Sequence, residues 1–474
     1  MHHTFTEPLL RRPRRRRTLL AVSLMLLAAC NHVEMEPSPS TPSSTALPVE
    51  RLQQVVDDFA MAAVDVTTCG VSVGVLRLAD GARWTSAAGM ASDSEPLTPD
   101  TVVEVGSITK QMTAAMVLVA QEEGRLHVDD DAGSHLPAFA SLLEGVTVHH
   151  LLTHSSGLVD YLYLPAFASD RERPWTTTEM AQLLDGEPRL FEAGAHVSYS
   201  NTNYLLLGMV LESAYDAPFV DVVDTVLLQG VGLPATGVCD AHEQTTPRAQ
   251  GHVEGSEVDS VDMSQPHAAG AMCSTVENLL TWTAAVASRM LHDVDVTEPS
   301  RLSSGTPLLY TAGLQLGRLR GHDTLMHHGV IRGFTATTTT LLDDGWVVVA
   351  VANEGTVQWA ALEEALAAVV LDDDGNNNDE TNDDDEAPAS LVDAAGLYVD
   401  LAPPSESTAR LRLVVDDDGE AEVTTDGSTF WPLTPTSRGH EAVLGDGLPL
   451  RVVVVDGHLE VERHGRLRWM WPAP

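Results

Sequence analysis

The stretch "GSITKQMTAAMVLVAQEEG", residues 106–124, decides how the rest of the chain is read. It opens on Gly-Ser, runs as a helical pattern from Ile108, and stops at Gly124. Ser107 therefore stands at a helix N-terminus, near free backbone N–H groups and the positive dipole end. Lys110 follows three residues later, on the same helix face. It is the only lysine; the other 26 of the 27 basic residues are arginine. Arginine does not lose its proton in a protein, whereas a buried lysine does. A neutral amine beside a hydroxyl can take its proton and make a nucleophile of it. The plain alternative is an N-cap serine followed by an ordinary surface lysine, because S-x-x-K alone is a loose pattern.

Working outward, the chain alternates helix and strand signals. Residues 49–63 have helical spacing, and "GVSVGVLRL" (70–78) and "RWTSAAGMA" (83–91) read as strands joined at Asp80-Gly81. From about 125 to 300 the pattern is helical with long loops. "LLYTAGLQLGRL", "FTATTTTLL" and "WVVVAVANEG" then read as three strands, and "VQWAALEEALAAVV" (357–370) as a closing helix. That order predicts an α/β layer with an inserted helical domain.

Two further stretches carry chemistry. "HVSYSNTNY" (196–204) places Tyr199 and Asn201 two residues apart, where a phenol and an amide can share a cleft. Their plain alternative is a buried tyrosine and a turn asparagine. "MHHGVIRGF" (326–334) offers a glycine-flanked strand edge whose backbone N–H can approach a substrate oxygen, or simply a hairpin. His327 and His328 have no acid or cysteine partners at metal spacing, so no metal is expected.

Composition bounds the rest. The formal net charge is −41. Removing residues 1–29, which hold six Arg and one Glu, leaves 21 basic against 67 acidic residues, or −46. Such a surface repels phosphate backbones, and nucleic acid is excluded as a partner. "RRPRRRR" followed by "TLLAVSLMLLAA" reads as a signal peptide over 1–29, too short for an ordinary membrane span. "LAAC" resembles the bacterial lipobox, which implies lipidation of Cys30 and membrane attachment; simple secretion after Ala29 is the alternative. Residues 30–48 then form the lipidated cysteine and a Pro/Ser/Thr tether. In an oxidising compartment Cys239 and Cys273, which flank a polar stretch, are expected to pair, leaving Cys69 as a buried thiol. Residues 372–388 read as an acidic linker, with nine acids in 372–386; calcium is the minor reading, since the spacing is not that of an EF-hand. Residues 389–474 show short alternating strands and are expected to form a small β domain.

Each motif is weak alone. In this order (Ser107-x-x-Lys110, Tyr199-x-Asn201, His327-x-Gly329) they resemble the class C β-lactamase and DD-peptidase family of penicillin-recognising serine hydrolases. "VTVHHLLTHSSGL" (146–158) and "AAGAMCSTVENLLTW" (268–282) extend the resemblance across about 50–370. It implies an α/β (α+β) fold: an antiparallel sheet flanked by helices, with an all-helical insert, spanning residues 49–371. It implies Ser107 as acylated nucleophile, Lys110 as proton shuttle, Tyr199 as base or relay, and Asn201 placing the substrate. Gly329 opens room for the substrate, and the N–H groups of Ser107 and Val330 form the oxyanion hole. No cofactor is implied. His327 stands where many relatives have lysine. A histidine, only partly charged at neutral pH, is a weaker partner for a carboxylate, and Arg332 is a candidate substitute. The expected activity is hydrolysis of an ester, D-amino-acid peptide or β-lactam-like substrate. The alternative is a non-hydrolytic lipoprotein that binds cell-wall peptide.

Overall fold

The computed structural model describes residues 46–239, 248–288, 296–305 and 307–371, and a set of strands between 412 and 472. Cys30, the tether and the acidic linker lie outside the described residues.

A seven-stranded antiparallel sheet forms the centre. Its strands are β1 (Gly70–Arg77), β2 (Arg83–Gly89), β3 (Tyr310–Thr311), β4 (Leu314–Leu319), β5 (His322–Ile331), β6 (Phe334–Leu341) and β7 (Trp346–Ala352), in the order β2-β1-β7-β6-β5-β4-β3. The sequence reading counts three strands after the insert; the structure has five. The run "LLYTAGLQLGRL" breaks into β3 and β4, and the polar-rich "HDTLMHHGVI" is itself a ten-residue strand. Its alternation is masked by its three histidines, of which only His327 is buried.

The central strands are covered on both faces, which is why β7 reads as an almost unbroken apolar run. Val348 and Ala350 join Val71, Val73 and Val75 in one core, against α1 (Val49–Ala63) and α5 (Ala360–Val370). Val347, Val349 and Val351 point the other way, into a second core with α2 (Thr109–Glu122) and α4 (Val276–Ala287). Each fully buried Val or Leu is worth roughly 1.5–3 kcal/mol over exposure, so this two-faced strand anchors both layers. The threonines of β6 divide in the same way. Thr337 and Thr339 donate to the buried Glu363 carboxylate of α5, while Thr338 accepts from Gln111 of α2 at 2.7 Å.

α2 is buried on nearly every side, so the polar residues of its buried turns need internal partners. Thr109 accepts from the Met272 N–H at 3.1 Å, and Thr113 donates to the Ala268 carbonyl at 2.7 Å. Gln111 accepts from the Trp282 indole of α4 at 2.9 Å. The helix ends in a Schellman motif, with Gly124 N–H on the Gln121 carbonyl and Arg125 N–H on the Ala120 carbonyl.

Between α2 and α4 the chain makes the insert. Its longest helix, α3 (Asn201–Tyr215), packs Tyr204, Leu207 and Leu211 into the same core as Met112 and Met116 of α2. Shorter helices surround it, including Val148–Leu152 and Thr177–Gln182, together with brief strand pairs. Cys239 and Cys273 form a disulfide, with a Cα–Cα distance of 5.1 Å, and Cys69 is a buried thiol. The bond ties Met272–Ser274 to the residue after Gly237–Val238, one strand pair away from Val103–Glu104 and Ser107. Between 412 and 472 the described strands pair antiparallel in a three-stranded and a five-stranded sheet.

Candidate active site

Ser107 lies in a 3₁₀ turn, Gly106–Ile108, that leads into α2. Gly106 has φ +50, and a Cβ there would come within 2.8–2.9 Å of the Val330 backbone. Only glycine lets the turn rest directly on β5. β4 pairs with β5 only from His322 to Met326, so the edge of β5 beyond it is open to this turn. Ile331 and Phe334 close the hairpin around Arg332-Gly333. Rungs of an antiparallel ladder alternate, so Val330, one rung back, turns its N–H and C=O outward, to the Ser107 side. The two backbone groups named for the oxyanion hole are thus neighbours.

Gly329 packs directly against the Ser107 turn. A Cβ on it would stand 2.0 Å from the Val105 carbonyl oxygen and 3.0 Å from Ile108. The residue makes room for the Ser107 turn.

Lys110 is completely buried. Its Nζ has three partners: Ser107 Oγ at 2.9 Å, Asn201 Oδ1 at 2.8 Å and the Ala269 carbonyl at 2.8 Å. Burial drives its pKa down from 10.5 to about 7, against an upward pull from Asp160. A neutral amine has two hydrogens and one lone pair. Asn201 Oδ1 and the Ala269 carbonyl can only accept, so they take the two hydrogens and the lone pair is left facing Ser107.

The Tyr199 hydroxyl lies 2.9 Å from Ser107 Oγ, and the Tyr199 ring lies 4.9 Å from Lys110 Nζ. Burial pushes its phenol far above the usual range. A tyrosinate base beside a lysine ammonium is therefore disfavoured: in this site lysine gives up its proton more readily than tyrosine does. Tyr199 is held by His154, whose ring packs tilted against it with centroids 4.3 Å apart while Nδ1 accepts from the Ser200 N–H at 3.2 Å.

Asn201 is the first residue of α3. Its Oδ1 is engaged by Lys110, and its Nδ2 donates to Asp160 Oδ2 at 2.8 Å. Asn201 thus holds Lys110 and is itself held by Asp160.

His327 is also buried. Its Nδ1 sits 2.5 Å from the His328 carbonyl, which only accepts, so Nδ1 carries the hydrogen. Nε2 then accepts from the Tyr310 hydroxyl at 3.0 Å. Burial and the Lys110 cation push its pKa to about 3. The expectation of a partly charged histidine is thus corrected: His327 is neutral and both ring nitrogens are occupied. His328 points to the other face of β5, 3.2 Å from Glu363, so the adjacent pair cannot converge on one ion. Arg332, half-exposed at the hairpin tip, lies 3.7 Å from Glu172.

Four participants were not singled out from the sequence: His154, Asp160, Tyr310 and the Ala269 carbonyl. His154, Ala269 and Tyr310 fall within stretches quoted above, but nothing in spacing alone gives them a role.

The sequence profile of the beta-lactamase family matches residues 60–371. Penicillin-binding protein 4* of Bacillus subtilis (strain 168) is 30% identical over 149 residues, covering 31% of this chain and 33% of that protein. A D-aminopeptidase of Gluconobacter oxydans (strain 621H) is 25% identical over 268 residues, 54% of this chain and 50% of the other. The chain thus spans a third to half of the length of these curated relatives. Among solved structures, a D-stereospecific amidohydrolase from Streptomyces sp. aligns with a TM-score of 0.57 at 26% identity, over 67% of this chain and 97% of that one. A beta-lactamase/D-alanine carboxypeptidase from Pseudomonas syringae gives 0.59 at 19% identity, over 69% and 99%, a likeness of fold.

Proposed function

The chain belongs to the beta-lactamase family, and on that premise we propose that it is an exported serine hydrolase that cleaves an ester or amide through an acyl-enzyme on Ser107. One observation carries the reading: Ser107 Oγ has Lys110 Nζ and Tyr199 OH each at 2.9 Å.

In the first step the Ser107 proton passes to the Lys110 lone pair as the Oγ–carbonyl bond forms. The oxygen that gains charge is met by the N–H groups of Ser107 and Val330. Tyr199, protonated, hands its proton to the departing amine or alkoxide and is reprotonated from the Lys110 ammonium. Water then repeats the sequence on the acyl-enzyme.

Small esters and D-amino-acid peptides or amides rank first as substrates, peptidoglycan stem peptides second and β-lactams third. The relatives named as a D-aminopeptidase and a D-stereospecific amidohydrolase support this order. So does His327: neutral, with both nitrogens occupied, it offers no cation to a substrate carboxylate. Labelling of the purified protein with a fluorophosphonate is expected to place one adduct on Ser107, and none on the Ser107→Ala protein. An unlabelled wild type would return the chain to the class of non-hydrolytic binders.

Export and the lipid anchor rest on the basic-apolar leader and "LAAC". A disulfide inside the hydrolase domain fits an oxidising compartment. Cys30→Ser is expected to shift the protein from the membrane to the soluble exported fraction; unchanged membrane partition overturns the anchor.

A further inference from the structure

The Lys110 lone pair faces Ser107 only if Asn201 presents its oxygen, and an amide can present either end. What fixes it is Asp160. One carboxylate oxygen, Oδ2, accepts both the Asn201 N–H at 2.9 Å and Nδ2 at 2.8 Å. The other, Oδ1, accepts the Leu162 N–H at 3.0 Å. With Nδ2 held by the carboxylate, Oδ1 of Asn201 is turned onto Lys110. The geometry points to Asp160 as a positioning residue of the acylation step: it orients the Asn201 amide, and through it aims the amine at Ser107.

Asp160 also sets the charge balance. Around Lys110, burial holds His154 and His327 neutral and keeps Tyr199, Tyr204 and Tyr310 protonated. Burial raises the Asp160 carboxyl above its ordinary value, while three N–H donors and the Lys110 ammonium favour its ionised form. It is therefore the negative charge that these contacts bring to bear on the Lys110 ammonium, and it pulls the lysine pKa upward. Replacing it by asparagine removes that charge and lets the Asn201 amide turn its Nδ2 toward Lys110.

This inference rests on the hydrolase reading, and its test separates the two. Because Lys110 is the only lysine, [ε-13C]lysine incorporated into the full chain gives a single resonance whose titration belongs to this residue. In Asp160→Asn the titration midpoint is expected to move to lower pH. The acidic limb of the ester-acylation profile moves with it, because the neutral amine now persists to lower pH. The plateau rate falls about 10²-fold, the cost of a misplaced reacting group. An unmoved midpoint with a wild-type plateau overturns the proposal. If Asp160→Asn does not fold, Asp160→Glu carries the test. It keeps the charge but displaces the oxygen, so the plateau should fall while the midpoint stays. A wild-type plateau in that protein also overturns the proposal. Failure of the hydrolase reading looks different: the wild type itself forms no adduct on Ser107.

Discussion

Replacing Lys110 by methionine is expected to abolish turnover and, at pH 7, to raise the melting temperature. The two halves of that result share one cause. Lys110 is buried with a pKa near 7, against 10.5 in the unfolded chain. The unfolded state therefore holds the proton more tightly, and folding loses stability for it. The loss is full below about pH 7 and fades as pH rises toward 10.5. At about 1.4 kcal/mol per pKa unit it amounts to several kcal/mol at neutral pH. Methionine escapes it but leaves Asn201 Oδ1 and the Ala269 carbonyl without their donor, which costs about 1–3 kcal/mol for each acceptor left unpaired. With each acceptor near the low end of that range, a net gain of roughly 2 kcal/mol remains at pH 7, corresponding to several degrees, and it should shrink steadily between pH 7 and 10. Melts of both proteins across that range decide it; a gain independent of pH would falsify the assignment of the stability cost to the lysine proton.

Turnover behaves differently. Lys110→Arg keeps a cation but accepts no proton from Ser107, and its planar fork does not fit a cavity that leaves the ammonium no exposure. Loss of general-base catalysis alone costs about 10²–10⁴ in rate, and removal of one member of a cooperating set usually costs more. Near wild-type ester turnover in the arginine protein would mean that the single lysine is there by accident.

Local spacing carried part of this site. Ser107 and Lys110 are visible because three residues along a helix is a physical neighbourhood. The Tyr199–Asn201 pair and His327-x-Gly329 are legible for the same reason, as neighbours on one turn and one strand. The fold follows from apolar runs and helix stops, and the strand count failed where polar residues are buried. Thr337 and Thr339 sit in a stretch legible only as a strand, yet they serve a buried carboxylate, Glu363, more than twenty residues away. Asp160 lies 41 residues from the amide it orients, and His154 lies 46 from the N–H it accepts. Such pairs exist only after the insert has folded. Charge state is the least legible property. The sequence gives His327 an ordinary imidazole, but its burial, the Tyr310 hydroxyl and the nearby ammonium together make it neutral and occupied. That single change moves the substrate expectation away from carboxylates.

Tyr199→Phe tests the division of labour between lysine and tyrosine. If Lys110 is the base and Tyr199 the proton donor to the leaving group, the cost of losing the hydroxyl depends on what leaves. An amide nitrogen departs only when protonated, so kcat/KM for a D-amino-acid amide is expected to fall about 10²–10⁴-fold. A p-nitrophenolate is a weak base that leaves without a proton, so acylation by a p-nitrophenyl ester should fall about tenfold at most. The ring itself is expected to stay in place, since its tilted contact with His154 at 4.3 Å and its edge contact with Tyr310 at 6.2 Å, both between ring centroids, do not involve the hydroxyl. Melting temperatures should accordingly match within a few degrees. The acid limb of the ester profile should also remain near pH 7, where Lys110 titrates. Equal losses on amide and ester would locate Tyr199 in the attack of Ser107 rather than in departure of the leaving group. The hydroxyl would then be the base that deprotonates Ser107, and Lys110 the cation that makes its deprotonation affordable despite a phenol pushed far above its usual range by burial.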